Sequence, residues 1–75
     1  MEAYHMENNT FKDTLAKLMN ERKINQLTLA AELSVRQSQV SNWLNGKSLP
    51  GYQSIKRISE FFQVSADVIV GNKPN

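Results

Sequence analysis

Between residues 25 and 46, apolar side chains recur at helical intervals on both sides of a short turn. Spacings of three and four residues predict two short amphipathic helices, each with one buried face. Asn25 is a suitable N-cap for the first helix, residues 26–33, and Gly46 can take the positive φ that ends the second, which begins near Gln37. Two helices joined by so short a turn have to pack against each other. The residues expected to face inward are Leu29, Ala30, Leu33, Val35, Val40, Trp43 and Leu44.

Three further helices are predicted, one before this pair and two after it. The first is expected from Thr10, its N-cap, to about Lys23, and the fourth from about Tyr52 to Phe62. The last is expected over residues 66–70, with Ser65 as its cap. No segment alternates with the period of a strand, so we predict an all-α domain of five helices. The inward-facing residues are expected to be Phe11, Leu15, Leu18 and Met19 in the first helix, and Tyr52, Ile55, Ile58, Ser59 and Phe62 in the fourth.

Length and composition argue against several other classes of protein. Seventy-five residues make one small domain, and the absence of cysteine excludes disulfides and thiolate metal sites. No apolar run approaches the roughly 20 residues that span a bilayer, and no signal peptide is visible, so we expect a cytoplasmic protein without a membrane partner. No nucleophile–base pair, phosphate-binding glycine loop or cluster of metal ligands is present. We therefore expect no enzyme activity, no cofactor, no metal and no small-molecule substrate.

The folded domain is expected to cover residues 10–71. Residues 1–9 show no periodicity and are predicted to be disordered. His5-Met6 is also what a cloning junction often leaves, so residues 1–5 are either native or the remnant of a tag. Residues 72–75 are interpreted as a tail or the start of a linker, and they fit a whole protein and the first domain of a longer one equally.

The positive charges are concentrated in the middle of the chain. The net charge is only +2. From Arg22 to Arg57, however, there are six bases and one acid, Glu32, which gives a local charge of +5. Such a surface attracts phosphate in a way that salt screens. The alternative is charge that only keeps a helical protein soluble.

Taken in their order and spacing, these motifs resemble the lambda-repressor-like (Cro/C1-type, XRE) helix-turn-helix family over residues 10–71. The resemblance implies a compact five-helix fold in which helices 2 and 3 form the helix-turn-helix, with helix 3 in the major groove of double-stranded DNA. It implies a sequence-specific regulator of transcription, most simply a repressor of the phage type. The matching residues are Asn25-Gln26, Leu29-Ala30, Leu33-Ser34-Val35, Gln37-Ser38, Val40, Trp43, Asn45-Gly46-Lys47, Pro50 and Val64-Ser65.

Two departures from the family pattern bear on the fold. Many relatives have glycine at the turn between helices 2 and 3 and before the last helix, where this chain has Ser34 and Gln63. If these positions need a positive φ, each costs about 1 kcal/mol relative to glycine. Many relatives also pair an arginine in helix 1 with a glutamate near the end of helix 3, where this chain has Met19 and Leu44. We infer that a hydrophobic contact replaces a buried ion pair.

The resemblance implies a division of roles among the exposed polar residues. Gln37, Ser38 and Asn42 are expected to read base edges, and Gln37 is the first choice because its amide can bond adenine N6 and N7 together. Plain solvent exposure of a polar helix face is the alternative. Arg36 could reach a phosphate or a guanine, and we favour the phosphate. The expected phosphate contacts are Gln26, Arg36, Gln39, Ser41, Asn45, Lys47 and Ser48, with Tyr52 and Gln53 as weaker candidates.

One such domain contacts few base pairs, so a homodimer on a pseudo-palindromic operator is expected, at least on DNA. Phe61 and Val68 are candidates for an apolar dimer patch, and the alternative is the partly covered edge of the core. Trp43 is expected in the core and not stacked on a base. The competing function is a protein-interaction module or antitoxin-type scaffold of the same fold, which would carry apolar residues on the outer face of helix 3.

Overall fold

The computed structural model describes residues 8–70, with side chains from Phe11 onwards. These residues form five helices and no strand, which confirms the predicted all-α architecture. The first helix begins at Asn8, two residues earlier than predicted, so Thr10 lies within it and does not cap it. The predictions for residues 1–7 and 71–75 lie outside the described part of the chain. The helices are α1 (Asn8–Arg22), α2 (Gln26–Leu33), α3 (Gln37–Leu44), α4 (Tyr52–Phe62) and α5 (Ala66–Ile69).

One apolar core holds the five helices together. Each helix contributes to it, and α2 packs against both α3 and α4. Met19 and Leu44, where the sequence predicts apolar side chains in place of an ion pair, both belong to this cluster, Met19 buried and Leu44 at its edge. The buried apolar residues are Phe11, Leu15, Leu18, Met19, Leu29, Ala30, Leu33, Val40, Trp43, Ile58, Phe62 and Ile69.

The prediction that Tyr52 faces inward is wrong, since its side chain is 79% exposed. At about 100° per residue, Tyr52 lies roughly 90° from the centre of the face that Ile55, Ile58 and Phe62 turn to the core. It is also the first residue of α4, where the helix begins beyond the edge of the core. Its spacing fitted the apolar pattern, but its position at the helix end left it in solvent.

Three of the helices end in the same way, which we call the left-handed helix end. The residue after α1, α2 or α4 has a φ near +58° although it is not glycine: Lys23 (57°), Ser34 (59°) and Gln63 (58°). The positive φ expected at Ser34 and Gln63 is confirmed, and Lys23 adds a third case. In each, the next N–H bonds back to a carbonyl in the last turn, as in a Schellman motif. These bonds join Ile24 to Met19 (3.1 Å), Val35 to Ala30 (3.0 Å) and Val64 to Ser59 (3.1 Å).

The left-handed helix end places an apolar residue against the core. Ile24, Val35 and Val64 each follow the left-handed residue, and each packs against the buried cluster. Reversal of the chain by the left-handed residue brings this side chain back over the helix that has just ended. Part of the core is therefore built by residues that belong to no helix.

Candidate nucleic-acid interface

The start of α2 is capped by Asn25. Its backbone is extended, and its Oδ1 accepts a hydrogen bond from the Thr28 N–H at 2.8 Å. Gln26, the first residue of α2, is half-buried. Because the first N–H groups of a helix lack partners within it, this end offers donors and positive dipole charge to an anion. Gln26 lies where its amide could add to them.

The turn between α2 and α3 is set by Ser34 and Val35. Ser34 takes the left-handed conformation, and its N–H bonds to the carbonyls of Ala30 and Ala31. Val35 is half-buried against the core. Arg36 is extended and exposed, and it precedes α3 as its N-cap residue. The two helices are thereby held as one unit.

The inner face of α3 is fixed by Val40 and Trp43, which are 0% and 3% exposed. The Trp43 ring meets Phe11 of α1 edge to face, with centroids 6.4 Å apart and planes at 79°. The expectation that Trp43 belongs to the core is confirmed. Its packing also anchors α3, since any rotation of this helix would expose the indole.

Gln37, Ser38 and Asn42 lie on the opposite face of α3, and all three are exposed. At about 100° per residue they span an arc of roughly 140° centred away from Val40 and Trp43. We call these three residues the polar ridge. It carries hydrogen-bond donors and acceptors without any formal charge. The ridge has the exposure that base reading needs, and its contact with bases stays a prediction.

Three of the predicted phosphate contacts hydrogen-bond within the domain. The Oε1 atom of Gln39 accepts from the Arg36 N–H at 3.3 Å, and this bond helps to cap α3. The Nδ2 atom of Asn45 donates to the Ser41 Oγ at 3.3 Å. Gln39 and Asn45 are exposed, and Ser41 is half-buried. The Gln39 amide nitrogen and the Ser41 hydroxyl hydrogen are not used by these bonds.

The end of α3 differs from the other helix ends in one respect. Gly46 takes a φ of 74°, as predicted, and the Lys47 N–H bonds to the Asn42 carbonyl at 2.8 Å. The residue after the turn is here a lysine that is exposed, and Ser48 beside it is exposed too. The same backbone reversal thus presents a cation to solvent at the end of the ridge.

Two arginines are directed at backbone carbonyls, which the sequence did not indicate. Arg57 of α4 donates from Nη1 to the Leu33 carbonyl at 2.9 Å. Arg22 of α1 donates from Nη2 to the Phe61 carbonyl at 3.3 Å, and its guanidinium carbon lies 5.5 Å from the ring centroids of both Phe61 and Phe62. The signal available for them was only their charge. Both side chains contribute to the positive surface while they hold pairs of elements together.

The candidate dimer patch is half-buried. Phe61 packs edge to face on Phe62 at 5.0 Å and lies beneath Arg22. Val68 of α5 is also half-buried. Its role in self-association stays a prediction. The weaker phosphate candidates Tyr52 and Gln53 are exposed, at one end of an open groove along α4 that also includes Lys56, Arg57 and Glu60.

Other kinds of site have no support among the residues that the structure describes. Within residues 8–70 no three His, Cys, Asp or Glu side chains come together in a way that could hold a metal ion. None of the helices in this range is long and apolar enough to cross a membrane. His5, the single histidine, lies outside the described residues.

Comparison with known proteins gives consistent results. A helix-turn-helix family model matches residues 15–69. The HTH-type transcriptional activator BcrR of Enterococcus faecalis is 33% identical over 63 residues, which are 84% of this chain and 31% of that protein. The crystal structure of a transcriptional regulator from Listeria innocua superposes with a TM-score of 0.79 at 25% identity, over 87% of this chain and 61% of that one.

The chain therefore spans about a third of the first relative and about three fifths of the second. The match of the family model covers about half of α1 and all of α2 to α5, and so includes the turn and the polar ridge. The chain belongs to the lambda-repressor-like, or Cro/C1-type, helix-turn-helix family of transcriptional regulators.

Proposed function

We propose that this domain binds double-stranded DNA in a sequence-specific manner and regulates transcription, with α3 in the major groove. The observation that carries the proposal is the exposed polar ridge on a helix whose opposite face is buried through Val40 and Trp43. A major groove about 12 Å wide admits an α-helix, and uncharged amides and hydroxyls match the donors and acceptors of base edges. Both relatives are described as regulators of transcription.

The polar ridge would supply base contacts of different strength. Gln37 stands at the start of α3, the part of a recognition helix that reaches deepest into the groove in this family. Its amide can accept from adenine N6 and donate to N7 together, which discriminates by about 1–3 kcal/mol. Ser38 selects less strongly because one hydroxyl fits several edges. Asn42, one turn further on, would read the neighbouring base pair.

The phosphate contacts would lie on either side of the polar ridge. Gln26 and the free N–H groups at the start of α2 suit one phosphate, and Lys47 with Ser48 suits another. Arg36 lies between them and is proposed to contact a phosphate. Gln39, Ser41 and Asn45 can also donate to a phosphate while they keep these bonds. The bonds use the Gln39 Oε1 and the Ser41 Oγ as acceptors and only one of the two hydrogens on the Asn45 Nδ2.

We further propose that two domains bind a pseudo-palindromic site and repress transcription. Two half-sites one helical turn apart, about 34 Å, would double the few contacts that one domain makes. Repression is the simpler outcome because a protein that only binds its site on the duplex already excludes other proteins from that site. BcrR is named an activator. A reporter whose promoter overlaps the site should lose expression when the domain is present.

The competing function is a protein-interaction module of the same fold. Such a module would offer apolar side chains on the outer face of α3. The large apolar residues that are most exposed among those described are Leu27, Leu49 and Tyr52, and none of them lies on α3. The character of the outer face therefore favours nucleic acid.

The test begins with selection of duplexes from a random pool, followed by measurement of two variants on the consensus. Gln37→Ala should cost about 1–3 kcal/mol and relax preference at one base position. Lys47→Ala should weaken binding to all duplexes alike and reduce the slope of log K against log[salt] by about one.

The controls are Asn20→Ala and Lys17→Ala, which remove an exposed amide and an exposed ammonium from α1. Both should bind the consensus as the original protein does. Failure of the selection to enrich any duplex would contradict DNA binding. Equal affinity of Gln37→Ala and Asn20→Ala at every base position would contradict the assignment of the ridge.

A further inference from the structure

Arg57 forms a hydrogen bond whose position gives it a role beyond charge. Its Nη1 donates to the Leu33 carbonyl at 2.9 Å, in a half-buried setting and across 24 positions of the chain. Leu33 is the last residue of α2, and Arg57 lies within α4. Carbonyl groups at the end of a helix lack partners within the helix and carry the negative end of its dipole. A guanidinium there is favoured by both hydrogen bonding and charge.

The bond complements the left-handed helix end of α2. In that turn the Ser34 N–H bonds to the carbonyls of Ala30 and Ala31, and the Val35 N–H bonds to that of Ala30. The Leu33 carbonyl and the Ser34 N–H belong to the same peptide plane, which is rigid. The N–H side of this plane is held by α2 itself, and the carbonyl side is held by Arg57.

This peptide plane is where the chain leaves α2 for α3. Ser34 follows it with a φ of 59°, a conformation that a residue with a Cβ adopts at a cost. A small rotation of the plane would change the direction of residues 34–36 and therefore of α3. Because α4 is anchored in the core through Ile58, which is 0% exposed, Arg57 links the turn to a fixed part of the molecule.

We propose that Arg57 is a positioning residue for the polar ridge: it holds the Leu33–Ser34 peptide plane and so fixes the direction in which α3 leaves the turn. The inference rests on the proposed function, in which the ridge reads bases. A direct contact of Arg57 with a DNA phosphate is the alternative role for this exposed arginine. The two roles differ in their effects on specificity and on salt dependence.

The experiment compares Arg57→Met with Lys56→Met. Lys56 is the neighbouring residue of α4 and is exposed, and its side chain forms no hydrogen bond or ion pair with the residues that the structure describes. Both variants remove one positive charge and keep an unbranched side chain. The probes are the consensus duplex selected with the original protein and a shuffled duplex of the same composition, each measured over a range of salt concentrations.

Arg57→Met should bind the consensus about tenfold or more weakly than Lys56→Met, because part of the binding free energy must then order the turn that the charged hydrogen bond holds in the original protein. It should bind the shuffled duplex no more weakly than Lys56→Met and keep the salt slope of the original protein. Arg57→Lys, which can still reach a carbonyl with one donor, should recover part of the loss. If Arg57→Met binds both duplexes equally more weakly, and the slope of log K against log[salt] falls by about one, Arg57 contacts a phosphate and the proposal is overturned.

Amide hydrogen exchange without DNA provides a second measurement. In Arg57→Met the amides of Ser34 and Val35 should exchange faster than in the original protein. The amides of α1 should keep their protection after correction for any change in global stability. Uniform acceleration, or no change at the turn, would overturn the positioning role. If the original protein prefers no duplex, the proposed function fails, and exchange still decides whether Arg57 holds the turn.

Discussion

Lys23, Ser34 and Gln63 use a conformation that glycine adopts more easily. Each has a φ between 57° and 59°, and each carries a Cβ that makes this conformation cost about 1 kcal/mol. The benefit is burial of the next side chain, Ile24 or Val64 for example, against the core. At these residues, apolar burial by the neighbour outweighs local backbone strain.

Gln63→Gly should therefore stabilise the domain by up to about 1 kcal/mol, because glycine takes a positive φ without the Cβ penalty. Chemical denaturation followed by circular dichroism measures the difference. Glu60→Gly, three residues earlier within α4, is the control and should destabilise by about 1 kcal/mol, as glycine does in a helix interior. A Gln63→Gly variant less stable than the original protein would show that strain at this position is negligible.

The helices themselves were largely predictable, because their signals are local. N-caps such as Asn25 and Ser65, the apolar periodicity, and Gly46 lie close in the chain to the elements they define. The start of α1 was predicted two residues late because Thr10 has the chemistry of a cap. Periodicity predicts Tyr52 in the core wrongly, because it does not show where a helix passes beyond the core.

The polar ridge was predictable for the same local reason, and its surroundings were less so. Exposure of Gln37 and Asn42 follows from burial of Val40 and Trp43 on the same helix. The hydrogen bond from Arg57 to the Leu33 carbonyl could not be predicted from the sequence. It joins two helices, and its acceptor is a backbone group that every residue possesses. Spacing reveals which face is buried but not which backbone group a distant side chain selects.

At the level of the element, Asn25→Ala should destabilise the domain by about 1 kcal/mol, because the Thr28 N–H loses the side chain that accepts its bond. Asn20→Ala makes the same chemical change at an exposed position in α1 and should be neutral or slightly stabilising. Thermal unfolding of the two variants measures the contrast. Equal melting temperatures would indicate that water replaces the cap at no cost.

Across the whole molecule, the positive charges divide into those that hold the fold and those left for a partner. Arg22 joins the ends of α1 and α4, and Arg57 joins α4 to α2. Arg36 and Lys47 lie exposed at the two ends of α3. The one ion pair described, Lys12 with Asp13 at 3.9 Å, is local and partly exposed, so it adds little stability. Cations near the ridge are thus not neutralised by acids of the described chain.

Dimer formation on DNA is a prediction for the whole molecule. Val68→Glu places a charge in the candidate apolar patch and should reduce cooperative binding of a second domain to a two-half-site duplex, because the carboxylate would have to be desolvated. Ala16→Glu adds the same charge on the exposed surface of α1 and is the control. Analytical ultracentrifugation of one-half-site and two-half-site duplexes measures the cooperativity. Loss of cooperativity in both variants alike would point to net charge and not to the patch.

The left-handed residues also have a consequence for how readily this domain could change its target. Lys23 and Gln63 lie outside α3 in the chain and are not among the proposed base or phosphate contacts, and glycine at either is expected to add stability. Replacements along a recognition helix generally lower stability as they alter preference. A variant with glycine at both positions would have extra stability to offset these losses. Libraries of α3 replacements built on that variant should therefore yield more folded proteins with new binding preferences than libraries built on the original chain.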